Sequence, residues 1–254
     1  MNDRTHLLPP AALGLGLLGA VLRALQMRLG FEAETGLALQ GSWINILCAL
    51  FLAAAILAML APIWSPPAEK LSFTRCFAPL EGVLPSLLVA GAFLFLLSGG
   101  LYFFRYIQSG KTELDLVLGA FAACLTGSQL YALRRWRTDG TVAGLFLLPP
   151  VVFFLLSLVA AYLAHGTYPV TARYGIEILA LAALAYGSYQ VAATGYGQGV
   201  SRGLCRGLGL GIVLGFTAAA TAVDLAECLT AAAGALTLLA YALSLQALSG
   251  EAPE

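Results

Sequence analysis

Ile46–Met59 reads ILCALFLAAAILAM, and Val142–Ala164 reads VAGLFLLPPVVFFLLSLVAAYLA. Neither stretch carries a charge, and neither alternates. A membrane-barrel strand alternates apolar, lipid-facing residues with polar, lumen-facing ones, so these are not barrel strands. In hydrocarbon every backbone N–H and C=O needs an internal partner, which leaves the α-helix. About 20 apolar residues carry a helix across a core about 30 Å thick. Reading outward at that length gives eight stretches: 9–28, 43–64, 84–107, 114–134, 142–165, 170–192, 203–223 and 227–248. The expected fold is all-α, a polytopic transmembrane helix bundle of about eight spans. It forms a single integral membrane domain over residues 1–254, with no soluble domain.

Composition agrees. The chain is 60% hydrophobic and 10% charged, with mean hydropathy +0.87, whereas soluble domains carry about 25% charged residues. Met1–Pro10 holds a single Arg offset by Asp3, and the apolar run after it contains Arg23 and no clear small-residue cleavage site. It is therefore read as a first membrane helix and not as a cleaved signal. Spans seven and eight are separated only by Asp224–Glu227, so they form a tight hairpin or one of them is re-entrant. Phe93–Tyr102 (FLFLLSGGLY) and Phe153–Tyr162 (FFLLSLVAAY) are alike. Either an internal repeat, which would favour a transporter, or shared composition accounts for that.

With eight spans both termini share a face. Arg4, Lys70, Arg75, Arg134, Arg135, Arg137, Arg202 and Arg206 lie on that face; Arg23, Arg28, Arg105, Lys111 and Arg173 lie on the other. The positive-inside rule puts the eight, and hence both termini, in the cytoplasm, with a bacterial-type plasma membrane as the setting. Prolines mark helix starts, where a missing N–H costs nothing: Pro9-Pro10, Pro85 and Pro149-Pro150 near inner ends, Pro169 at the opening of span six. Trp64 and Trp136 are expected at the inner interface, and Trp43, Tyr102, Tyr106, Tyr168 and Tyr174 near the outer one.

Gly195, Gly199, Gly203, Gly207, Gly211 and Gly215, followed by Ala219, recur every fourth residue. In lipid, helices associate through close van der Waals contact, which small residues permit. Gly203, Gly207, Gly211 and Gly215 are therefore the expected helix-packing face of span seven, a glycine-zipper pattern. That face either seats neighbours of the same chain or mediates self-association or contact with a partner subunit. Gly207, Gly209 and Gly211 do not form a nucleotide loop, because no strand precedes them.

Ionisable groups inside spans are costly. Here they fall in the outer half: Arg23, Arg105, Arg173, Glu177 and Asp224. Arg173 and Glu177 stand four residues apart on one helix face, within pairing reach. Glu177 is the deepest acid. Arginines that snorkel and acids near helix N-termini would explain this placement without a ligand. Alternatively, these five residues converge on an outward-facing charged vestibule that binds a small polar solute.

Zero formal net charge offers nothing to nucleic acid. The five cysteines stand singly, with no CxxC, and His6 and His165 are the only histidines, so neither a metal site nor another cofactor is expected. HExxH and GxSxG motifs and paired intramembrane aspartates are missing. No catalytic residue is assigned, although a lipid-acting intramembrane enzyme using the outer Arg, Glu and His set stays open. Two expectations remain. One is a transporter of a small polar solute, or the membrane-embedded substrate-binding subunit of one. The other is a non-catalytic structural or accessory membrane protein that packs with partners through the ladder. The first requires a polar cavity lined by Glu177 or Arg105; the second requires a dry bundle with the small-residue strip exposed to lipid.

Overall fold

The computed structural model describes residues 5–32, 35, 37–64, 77, 83–109, 113–135, 140–165, 171–220 and 224–250. Among these the helices are α1 (Leu8–Leu29), α2 (Trp43–Leu60), α3 (Val83–Ser109), α4 (Glu113–Arg135), α5 (Gly140–Phe146), α6 (Pro149–His165), α7 (Thr171–Ala193), α8 (Arg202–Ala219) and α9 (Leu225–Gly250). The protein is all-α, and the described residues form no strand beyond one isolated bridge, Phe31 to Ala38. Seven helical stretches are long and apolar enough to cross a membrane: Leu8–Leu29, Trp43–Leu60, Pro85–Gln108, Glu113–Arg135, Thr141–Ala164, Tyr174–Gln198 and Leu225–Leu245. These are the helices of an integral membrane protein. Expectations resting on Arg4, Lys70, Arg75, Lys111, Trp136, Arg137, Tyr168 and Pro169 lie outside the described residues.

The expected seventh span, α8, is not among the seven. Arg202, Arg206 and its glycines lower its apolarity. Its position supplies the reason: twelve of its eighteen residues are buried, against α1, α2, α7 and α9. A helix sheathed by other helices need not itself dissolve in lipid. Its 18 residues span about 27 Å at 1.5 Å per residue. Ser201 caps its start, accepting the Leu204 N–H at 3.1 Å.

Two departures from regular helix shape the bundle. The fifth stretch is broken at Leu147-Leu148. Pro149 and Pro150 have no N–H to donate to the carbonyls of Leu145 and Phe146. The turn tightens instead, with Leu147 and Leu148 donating three residues back, to Gly144 (3.1 Å) and Leu145 (3.2 Å). These prolines therefore open α6 inside the apolar stretch, not at its inner end. The sixth stretch closes in a π-turn, Thr194–Gln198, after which Gly199 leads toward α8. Gly197 (φ 86°) and Gly199 (φ 65°) occupy left-handed backbone that other residues avoid.

The ladder faces this chain's own helices. A Cβ on Gly203 would lie 3.0 Å from the Gln190 amide, one on Gly207 3.1 Å from Gly187 Cα, and one on Gly215 2.9 Å from Ala235 Cβ. One on Gly211 would collide with a methyl of Leu238. Thus α7 and α9 fill the groove. α8 and α9 form an antiparallel hairpin, and Asp224 caps α9 by accepting the Ala226 N–H at 2.9 Å. Trp64, just past the end of α2, is buried, with its indole N–H donated to the Ala58 carbonyl at 2.6 Å.

Candidate functional site

Six helices meet around one cavity. Tyr102 and Arg105 come from the C-terminal part of α3. Leu118 comes from the start of α4, and Ser157 to Ala164 from the second half of α6. Glu177, Ala180 and Leu181 come from the start of α7, Ala218 from the end of α8, and Glu227, Thr230 and Ala231 from the start of α9. Ends of alternating direction meet here, so the cavity lies at the bundle face opposite the N-terminus of α1. It is deep. Ser157 stands seven residues before Ala164, roughly 10 Å along the helix.

Arg105 organises the polar wall. Its guanidinium forks onto Asp115, with Nε donating to Oδ2 at 3.0 Å and Nη2 donating to Oδ1. Nη1 donates to Asp224 Oδ2, and Glu227 Oε1 lies 3.5 Å from the same nitrogen. The guanidinium also lies 5.1 Å from the centroid of the Tyr102 ring. Helical spacing explains how these acids reach one cation. Asp115 continues the buried stripe of α4, followed by Leu118, Gly119 and Ala122. Asp224 serves twice, as the cap of α9 and as an Arg105 partner. Such bidentate, charge-assisted bonds fix both partners in orientation.

Below the charges lie hydroxyls. Ser98 Oγ donates to the Ala226 carbonyl at 2.9 Å and lies 2.6 Å from Thr230 Oγ1. Ser157 Oγ is buried with no hydrogen-bond partner among the described residues. Glu177, one turn and a half inside α7, is only 9% exposed. No hydrogen bond or ion pair reaches its carboxylate from the described side chains, among which Arg173 is not included.

Of the five charged residues singled out from the sequence, Arg105 and Glu177 line the cavity, and Asp224 joins it through Arg105. Arg173 lies in the first turn of α7, and its side chain is outside the described portion. Arg23 stands apart. It is fully buried on α1, where Nη1 donates to Gln26 Oε1 at 2.5 Å and the guanidinium lies 5.5 Å from the Phe31 ring centroid. Gln26 in turn donates to Asn45 at 3.0 Å, and Asn45 donates to the Gly30 carbonyl at 2.9 Å. That network ties α1 to α2. Asp115, Glu227, Tyr102, Ser157 and Thr230 were not assigned to a site from the sequence. For Asp115 a signal exists in its register with Leu118 and Ala122, whereas nothing in one sequence marks Ser157.

Among the described residues no group of His, Cys, Asp and Glu could hold a metal ion, and none of Cys48, Cys124, Cys205 and Cys228 is in a disulfide. No protein family matches the chain, and neither any curated protein nor any solved structure is significantly similar to it.

Proposed function

We propose that this is a non-catalytic multi-pass membrane protein that moves a small polar solute, or the membrane-embedded subunit that binds the solute for a transporter. In this reading α8 is an eighth span, both termini are cytoplasmic, and the cavity opens outward. The observation that carries it is the cavity itself, reaching roughly 10 Å into the bundle and lined by Arg105, Glu177 and Glu227. Charges placed only to anchor helices would lie at the headgroups and leave no such space. The ladder supports this reading over the accessory one. Gly207, Gly211 and Gly215 are buried against α7 and α9, so they do not offer a lipid-facing strip to a partner.

The test is thermal stability of the purified protein against a panel of small cationic, anionic, zwitterionic and neutral solutes, with wild type beside Glu177→Gln. A ligand of the native state stabilises by mass action, about 2.7 kcal/mol at a hundredfold excess over Kd. A shift in wild type that shrinks in the variant is expected. No shift with any class of solute would overturn the reading.

A further inference from the structure

We infer that the solute is a small organic ammonium cation, seated between Glu177, Glu227 and the hydroxyls of Ser157 and Thr230; this rests on the cavity being a solute site. The wall's cation is already engaged. Arg105 directs its fork at both oxygens of Asp115 and its remaining arm at Asp224. An anionic solute would meet a guanidinium that already gives three of its five N–H groups to carboxylates. Counting formal charges of the described side chains, and so leaving out Arg173, Asp115, Asp224, Glu177 and Glu227 against Arg105 give a surplus of three negative charges (four minus one). A carboxylate as buried as Glu177 is costly unless a cation or a proton accompanies it.

The hydroxyls point the same way, independently of the acids. Ser157 is 5% exposed, lines the cavity, and its Oγ has no partner among the described residues. Buried polar groups without a partner are rare, and one facing a cavity marks where a ligand's polar atom belongs. Ser98 gives its one hydroxyl proton to Ala226, so the 2.6 Å contact with Thr230 is Thr230's donation. The Tyr102 hydroxyl in turn donates to Thr230, which leaves one of the two lone pairs of Thr230 Oγ1 for a ligand's donor. An ammonium group carries only donors, which suits two carboxylates and two hydroxyl oxygens.

The rest of the wall separates an organic cation from a metal ion. Leu118, Ala160, Ala161, Leu181 and Ala218 supply aliphatic surface. Hard metal cations require six or more oxygen ligands, and no metal-holding group of acids exists among the described residues. Methyl or methylene groups beside the charged nitrogen would instead displace water from these alanines and leucines.

The experiment is titration calorimetry of the purified full-length protein at pH 7 with methylammonium, ethylammonium, tetramethylammonium and 1,4-butanediammonium chlorides. Ethanol and sodium acetate are the neutral and anionic counterparts, at constant ionic strength. At least one ammonium should bind, and neither counterpart should. Glu177→Gln should raise its Kd at least tenfold. Ala161→Leu, which fills the cavity without touching a charge, should abolish binding and keeps the test valid if Glu177→Gln fails to fold. Binding of acetate or ethanol in place of every ammonium, still lost in Ala161→Leu, would overturn the cation assignment and leave the solute site standing. Ammonium binding untouched by Ala161→Leu would overturn the location. Silence from all six probes, beside a thermal shift with some other solute, would overturn the cation alone; silence in both experiments would overturn cation and site together.

Discussion

Gly187→Ala probes a close backbone approach between α7 and α8. A Cβ at Gly187 would lie 2.7 Å from Leu238 Cδ1 and 2.8 Å from the Gly207 carbonyl oxygen. The Leu238 methyl ends a flexible side chain and can rotate away. The carbonyl belongs to the backbone of α8 and cannot, so α7 and α8 must separate until the 2.8 Å approach reaches ordinary contact, at least 3.4 Å. Overpacking of this kind costs about 1–3 kcal/mol, while Ala regains about 1 kcal/mol over Gly as a helix former. The net loss is then about 0–2 kcal/mol. Gly127→Ala is the internal control. It sits in α4 with nothing within 4 Å of the added carbon, so it should gain about 1 kcal/mol of helix propensity with no penalty. The two variants should therefore differ by about 1–3 kcal/mol, or roughly 2–12 °C in Tm for a chain of this length. A thiol-reactive dye reports the melt through Cys48 and Cys205, both 1% exposed, in a Cys124→Ser background. Equal melting temperatures for Gly187→Ala and Gly127→Ala would refute the backbone contact between α7 and α8.

Three further substitutions test the architecture around the site. Arg105→Gln leaves Asp115, whose side chain is 5% exposed, without its cation. A loss of about 2–4 kcal/mol is expected in a thermal melt, with Arg105→Lys recovering part of it because one ammonium cannot grip both oxygens; a wild-type melt for Arg105→Gln would count against the ion-pair wall. Ser201→Ala removes the cap of α8 and should cost about 1 kcal/mol by the same assay, and Ser201→Asn should restore it. Gly197→Ala forces a side chain into left-handed backbone, φ 86°, and should cost about 1–2 kcal/mol; no loss would show that the turn after α7 relaxes freely.

The helices were legible in the sequence because lipid imposes one rule, an unbroken apolar run, which α2 and α3 obey. What lay beyond that rule was not legible. The break before Pro149 depends on which carbonyls lose their donors, and a hydropathy window averages over it. The charges divide the same way. That Arg105, Glu177 and Asp224 fall at one depth follows from counting residues along their spans. That Arg23 turns instead to Gln26 and Phe31 depends on helix rotation, which a chain apolar on all sides does not encode. Glu227 reads naturally as an acid complementing the helix dipole at the start of α9; only the approach of α3 makes it a neighbour of Arg105. The recurrence of glycine every fourth residue was legible, but that α7 and α9 lie against Gly207, Gly211 and Gly215 was not.

The most direct test of a charged cavity opening outward is labelling of a single cysteine at Ala161, with the five native cysteines replaced, by a membrane-impermeant thiol reagent applied to intact cells. Ala161 lines the cavity from α6. Ready labelling from outside, slowed by the solute that most raises thermal stability, is the predicted result. A cysteine that reacts only after the cells are opened, or not at all, would contradict the account.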